Sequence, residues 1–170
     1  MARDIFEDMT GGVAAHLATC VSENAKYYHE WATKEWNWFK QTGMINGRNN
    51  INNEVDLKTC KNNNGVVWLY NQGIILSALV ELAKAFCLSD AFLIAQAHVI
   101  AAAAIVKLAD NKDILHDSCE PNCGADELQF KGIFIQNLQI LHEAVSRAKY
   151  KTFIKNNARF IWQKDRNEKN

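Results

Sequence analysis

Apolar residues recur along this chain at helical spacing, and no stretch sustains the alternation of a strand. Ile75, Leu79, Leu82 and Phe86 form one stripe, with Ser77, Glu81 and Lys84 on the opposite polar side. A second stripe holds Phe134, Leu138, Leu141 and Val145, with Gln136, Gln139, Glu143 and Arg147 facing water. Two more helices are predicted. One covers residues 24–41 and is crowded with Tyr27, Tyr28, Trp31, Trp36, Trp38 and Phe39, most of which read as core at that spacing. The other starts from an N-cap at Ser89 or Asp90, runs to about residue 109, and is almost wholly apolar.

The helices repeat. Tyr27-Tyr28-x3-Ala32, Phe92-Leu93-x3-Ala97 and Phe153-Ile154-x3-Ala158 share one pattern at offsets of 65 and 61 residues. Each follows a helix that ends near Cys20, Phe86 or Ser146. The unit is a helical hairpin, and the chain holds three of them after a lone N-terminal helix. Such hairpins bury their apolar faces on neighbours, so an incomplete set leaves one face open.

Connections within hairpins are short, whereas residues 42–72 and 110–131 form long links between hairpins. Both links lead from a second helix to the next first helix, so both belong on the same face. They carry nine asparagines between Asn46 and Asn71, together with Trp68, Tyr70, Gln72, Asp117, Glu120, Asp126 and Gln129. Long loops on a rigid scaffold are where sites are usually built. Amides and flat aromatic rings are what sugar hydroxyls and pyranose faces require, which points to carbohydrate.

Composition narrows the class. The 170 residues include 19 basic and 19 acidic side chains, so no basic surface is available to displace counterions from nucleic acid. The charges are mixed, which argues against a polybasic membrane patch. The longest unbroken apolar run, residues 99–106, is too short to cross a ~30 Å bilayer. The first nine residues form a charged amphipathic helical segment with no apolar signal core, and none of the 18 asparagines begins an Asn-X-Ser/Thr sequon. Of five cysteines, Cys20 and Cys87 lie in helical patterns and read as buried small hydrophobes. Cys60, Cys119 and Cys123 sit in polar loops, where a disulfide, free thiols or, less fittingly, a zinc site with His116 are the alternatives. His16, His29, His98 and His142 lie on helices and read as packing or surface residues.

Leu69-Tyr70-Asn71-Gln72-Gly73-Ile74-Ile75-Leu76, followed by Ala78-Leu79-Val80-Glu81-Leu82, resembles the Thr-Tyr-Asn-Gln-Gly helix start of glycoside hydrolase family 76. The segment from Cys119-Glu120-Pro121-Asn122-Cys123 to Asp126, and Gln129-Phe130-Lys131-Gly132-Ile133-Phe134, resemble a second signature. Glu35-Trp36-Asn37-Trp38-Phe39 and the closing Ile161-Trp162 with Asp165-Arg166-Asn167 fit as well. The resemblance spans nearly the whole chain but only the C-terminal part of the family domain. It implies an all-α fold, an incomplete (α/α)6 toroid of about seven helices, with a groove for mannan across the loop face. It also implies endo-α-1,6-mannosidase chemistry on cell-wall mannan, no cofactor, and an extracellular or cell-wall location for a full-length member.

Departures from the family pattern bear on activity. The family's catalytic centre is an adjacent Asp-Asp pair placed before the first residue here, and this chain contains no Asp-Asp pair. Retaining hydrolysis needs two carboxyls about 5–5.5 Å apart, so no catalytic residue is assigned and little or no hydrolysis is expected. Gly12 joins Val13 where the family carries a tryptophan- and glycine-rich loop, and Leu69, Glu127 and Gln136 replace an expected Thr, Gly and Arg. These differences suggest a truncated relative or an incomplete gene model. The residues expected to line sugar subsites are Trp68, Tyr70, Asn71, Gln72, Asp126 and Gln129. The alternative for the first group is a capped helix start, with Asn71 meeting free backbone N–H groups. Two other readings of the chain are a non-catalytic mannan-binding remnant and a helical-repeat interaction module whose open edge self-associates.

Overall fold

The computed structural model describes residues 25–85 and 91–164. Among these the fold is all-α, with five helices: α1 (Ala25–Thr42), α2 (Leu69–Ala85), α3 (Ala91–Leu108), α4 (Phe130–Ala144) and α5 (Ala148–Lys164). The two helices expected earlier in the chain, the Gly12–Val13 junction, the Ser89 or Asp90 cap, Cys20 and Cys87 lie outside the described residues. So do His16 and the side chains of Tyr28 and His29.

The hairpin unit is seen directly at α4 and α5, which are joined by residues 145–147 alone. Stacking runs from unit to unit. The first helices of successive hairpins, α2 and α4, pack together, and α3 lies along α2 as α5 lies along α4. A small antiparallel pair, β1 (Val55–Asp56) and β2 (Lys61–Asn62), with Val55 opposite Asn62, is the only ladder among the described residues.

Glycine decides how closely α2 and α4 approach. A Cβ built on Gly73 would sit 2.8 Å from Phe134 Cα and 3.1 Å from the Ile133 carbonyl oxygen, so backbone meets backbone there. With α1, α3 and α4 all packed on it, α2 is buried almost all round. Its predicted polar stripe is therefore corrected at Glu81, whereas Lys84 is exposed and Ser77 partly buried. Glu81 is buried and paired with Lys84, while the Ser77 hydroxyl donates to the Ile74 carbonyl at 3.0 Å. Hydrogen bonding within the helix satisfies these groups where water would otherwise do so.

The aromatic helix also departs from expectation. Trp36 and Phe39 are buried and stacked with ring centroids 6.0 Å apart, but Tyr27, Trp31 and Trp38 remain 58%, 49% and 40% exposed. Only one side of α1 meets the described helices, so only one stripe of its aromatics becomes core.

One described helix, α3, is long and apolar enough by length and composition to cross a membrane, with a hydropathy of 1.9. Its Leu93, Ala97, Ile100, Ala101, Ala104 and Leu108 are buried in the common core, as befits a helix packed on α2. His98, on the same helix, is buried with Nδ1 3.0 Å from the Tyr150 hydroxyl of α5 and with Nε2 lacking a hydrogen-bond partner. Burial, and secondarily the charge of Arg147, pushes the His98 pKa down to about 4.

Two outcomes are expected. Gly73→Ala should destabilise the fold by about 2 kcal/mol through overpacking, despite the better helix propensity of alanine. Gly132→Ala, where a new Cβ meets nothing within 4 Å, should be neutral or mildly stabilising; equal melting shifts for the two would refute the account. For His98, folding favours the neutral ring, so its contribution is complete above the unfolded pKa near 6.5 and is lost as pH falls towards 4. Thermal melts over that window should show a smaller loss of Tm in His98→Gln than in the wild type.

Candidate functional site

The two long links begin with the same turn. Ile45 bridges Ile51 across it, and Ala109 bridges Leu115 at an offset of 64 residues. In the first, Asn46 Oδ1 accepts from the N–H groups of Arg48 and Asn50 at 2.9 and 3.2 Å. In the second, Asp110 Oδ1 accepts from Lys112 and Ile114 at 2.8 and 2.9 Å. Both turns close through a left-handed residue, Asn49 at φ 61° and Asp113 at φ 60°, residue types that tolerate that conformation. The Ile114 and Lys112 N–H groups hold the Asp110 carboxyl below its ordinary value. This repeat places both links on one face, as the connectivity predicted.

Each turn is then held by a buried amide from a helix. Gln72 on α2 accepts from the Ile51 N–H and donates to the Ile51 carbonyl, both at 2.8 Å, and also donates to Trp68 at 3.0 Å. Asn157 on α5 accepts from the Leu115 N–H at 2.8 Å and donates to the carbonyls of Asp113 and Phe153. Neither Gln72 nor Asn157 is open to solvent. The asparagines of the first link act similarly: Asn46 donates to Asn52, Asn52 to the Gly65 carbonyl, and Asn62 to the Gly43 carbonyl. These amides hold the loop itself.

The links converge on the start of α2. Asp117 Oδ2 accepts from the Leu69 N–H at 3.4 Å, and the Ser118 hydroxyl donates to the Val67 carbonyl at 3.1 Å. The free N–H at this helix start is thus met by Asp117 of the second link, not by Asn71 as the capped-start reading supposed. Asn71 is fully buried, donates to Asn53 Oδ1 at 3.0 Å, and leaves its own Oδ1 without a hydrogen-bond partner. The Tyr70 hydroxyl donates to the same Asn53 oxygen at 2.8 Å.

Above this join lies an aromatic cluster. Trp68 meets the edge of Phe130 at 5.7 Å between ring centroids, and Tyr70 lies against Phe130 at 4.5 Å. All three rings are half-buried, so each keeps an accessible portion. Asp126 and Gln129 are exposed, the first preceding and the second ending the short 3-10 turn Glu127–Gln129 that leads into α4. The structure therefore brings Trp68 and Tyr70 together with Phe130. It puts Asn71 and Gln72 beneath them as buried supports and leaves Asp126 and Gln129 outward on the neighbouring segment.

Beside the cluster runs a charged chain that spacing alone did not reveal. Glu120 accepts from Lys131 at 2.6 Å, from the Asp117 N–H at 3.0 Å, and contacts His116 Nδ1 at 2.8 Å. His116 Nε2 lies 3.4 Å from Asp110. Burial alone would raise Glu120, but Lys131, the Asp117 N–H and His116 together bring it below its ordinary value. Burial pushes the Asp117 carboxyl up, against the opposing pull of the Ser118 and Leu69 N–H groups. Cys119 and Cys123 form a disulfide across this segment, with Cα atoms 4.9 Å apart, and Cys60 is free and exposed. The zinc reading is corrected accordingly. His116 is engaged by carboxylates, two of the three candidate thiols, Cys119 and Cys123, are bonded to each other, and no metal-holding group of three or more ligands occurs among the described residues.

A ladder of all-α hairpins with its long loops on one face, carrying an aromatic cluster and a polar rim, is an architecture of the glycosidase type. The profile of glycosyl hydrolase family 76 matches residues 9–170, and the chain belongs to that family. In shape it is similar to the crystal structure of the Lin0763 protein from Listeria innocua, with a TM-score of 0.78 at 20% sequence identity. The match covers 96% of this chain and 44% of that one, so the chain spans less than half the length of this relative. No curated protein matches the sequence.

Gln72→Leu tests the role of the buried amide. It keeps the side-chain volume but leaves the Ile51 N–H and carbonyl without partners, at a cost of about 2–4 kcal/mol. Hydrogen exchange at Ile51 should quicken. Unchanged stability and exchange would mean that Gln72 does not hold the loop.

Proposed function

We propose that the loop face of this chain binds α-1,6-linked mannan, as part of an incomplete (α/α)6 toroid. The observation that carries the reading is the partly buried Trp68–Tyr70–Phe130 cluster on the loop face of a family 76 chain. Trp68 supplies the apolar platform for a pyranose face, and Tyr70 is oriented by its bond to Asn53. Asp126 and Gln129, outward on the adjacent segment, supply hydrogen bonds to sugar hydroxyls. Asn71 and Gln72 belong to the same site as positioning residues, because both are fully buried.

For catalysis the chain offers less. Two carboxyls of the second link are already engaged: Asp117 with backbone N–H groups, Glu120 with Lys131 and His116. We therefore assign the 170-residue chain a mannan-binding role with little or no turnover. The Cys119–Cys123 disulfide favours an oxidising location, such as the cell exterior or wall.

Calorimetry with α-1,6-mannooligosaccharides should give measurable heat that Trp68→Ala weakens about tenfold, in the range of a lost stacking contact. Absence of binding by the folded wild type would sink the reading. Hydrolysis of α-1,6-mannan by the pure chain, abolished in Asp126→Asn, would instead overturn the non-catalytic assignment.

A further inference from the structure

We propose that Asn53 and Glu54, on the first link beside Tyr70, form a donor–acceptor pair for two neighbouring hydroxyls of one sugar ring. Such a pair presupposes the mannan-binding reading, on which it rests, and adds to it a demand for free hydroxyls. Neither residue is among those assigned to the sugar above.

Hydrogen bonding fixes which way the Asn53 amide faces. Its Oδ1 accepts from the Tyr70 hydroxyl at 2.8 Å and from Asn71 Nδ2 at 3.0 Å. A carbonyl oxygen has two lone pairs, so those two donors fill it. The amide nitrogen is left on the side of Glu54, with Nδ2 3.5 Å from Oε1. Turning the amide over would set its oxygen against that carboxylate and its nitrogen against the Asn71 nitrogen, two repulsive contacts. At 3.5 Å the contact with Glu54 is at the outer limit of a hydrogen bond. It occupies at most one of the two amide N–H groups, and the other has no partner among the described residues.

Glu54 is exposed, and its second oxygen, Oε2, accepts from Asn63 Nδ2 at 3.0 Å. Oε1 keeps lone pairs for a further donor. The backbone beneath both side chains is held: the Asn53 N–H donates to the Val66 carbonyl at 3.0 Å, and the Asn63 N–H to the Glu54 carbonyl at 3.3 Å. Tyr70, bonded to the same Asn53 oxygen and packed on Phe130, ties the pair to the aromatic cluster. A hydroxyl donates one proton and can accept another. Hydroxyls on adjacent ring carbons lie side by side, so one donates to Glu54 Oε1 while its neighbour accepts from Asn53 Nδ2. The first of these bonds is charge-assisted, the stronger kind. An α-1,6-linked mannose leaves O2, O3 and O4 free, and O3 belongs to either vicinal pair among them. Asn53 and Glu54 therefore select a ring whose O3 carries no substituent.

Calorimetry with α-1,6-mannotriose, and with the same triose lacking O3 on every ring, tests the pair. The wild type should bind the deoxy sugar about tenfold more weakly, a comparison that needs no variant. Glu54→Ala should weaken the triose about tenfold, as should Asn53→Asp, which keeps an acceptor for Tyr70 and Asn71 but loses the donor. One of these two variants, whichever has lost the partner of O3, should bind the deoxy sugar as the wild type does. Asn63→Ala removes the loop bond to Glu54 Oε2 and leaves the pair intact, so its affinity for the triose should be unchanged. Equal wild-type affinity for the two trioses overturns the pair and leaves the mannan reading standing. So does full affinity in Glu54→Ala, or a loss in Asn63→Ala as large as that in Glu54→Ala. A folded wild type that binds neither triose sinks both.

Discussion

The backbones of α2 and α4 touch because residue 73 has no side chain, and the placement of the loop face follows from that contact. A Cβ on Gly73 would come within 2.8 Å of Phe134 Cα, a distance that only a shift of an entire helix could relieve. Gly73 lies one turn into α2 and Phe134 one turn into α4, so the approach is tightest near both helix starts. Trp68 and Tyr70 stand at the beginning of α2 and Phe130 at the beginning of α4. Close helix packing thus becomes ring-to-ring contact one turn away. Separating the helices would pull Phe130 away from Trp68 and Tyr70, because the rings sit on the two different helix starts.

Loops of this length must satisfy their own backbone, because long buried segments without regular structure would otherwise strand polar groups. The chain solves this twice with one device. A short acceptor side chain, Asn46 or Asp110, gathers two N–H groups, a left-handed residue turns the chain, and a two-residue bridge closes it. A helix-borne amide then grips the far strand of each turn: Gln72 for the first and Asn157 for the second. The two links are further joined where Asp117 and Ser118 of one meet Leu69 and Val67 of the other. The site surface is consequently a composite of both links and rests on one helix start.

Much of the helical scaffold was legible in the sequence, because apolar periodicity and the three related hairpin patterns are both local signals. The exposure of Trp31 and Trp38 was not, since periodicity says which residues share a face and not whether another element covers it. Reading Ser77 and Glu81 as a wet stripe failed for the converse reason: α2 is covered on several sides, and intrahelical bonds replace water. The repeated turn did carry a signal, Ile45-Asn46-x-Arg48-x2-Ile51 against Ala109-Asp110-x-Lys112-x2-Leu115 at an offset of 64. Asn against Asp and Ile against Leu conceal it until hydrogen-bond roles are compared. Phe130 belonged to the family signature but became a site residue only when the α2–α4 contact brought it beside Trp68 and Tyr70.

Stacking surface and acid–base chemistry make opposite demands on side chains. A sugar platform needs rings fixed from behind and left open in front; in the site proposed above, the fixing falls to Asn53 for Tyr70 and to the contact with Phe130 for both rings. A glycosidase centre needs carboxyls whose protonation can change during turnover, and hence carboxyls free of permanent structural partners. Around this platform Glu120 is tied to Lys131 and to the Asp117 N–H, and Asp117 itself binds the helix start and the next residue of its loop. Protonating Asp117 would weaken its bond to the Leu69 N–H, one of the two bonds that join the links. On the mannan-binding reading proposed above, these acids hold the loop join and its neighbouring ion pair while the rings meet the sugar.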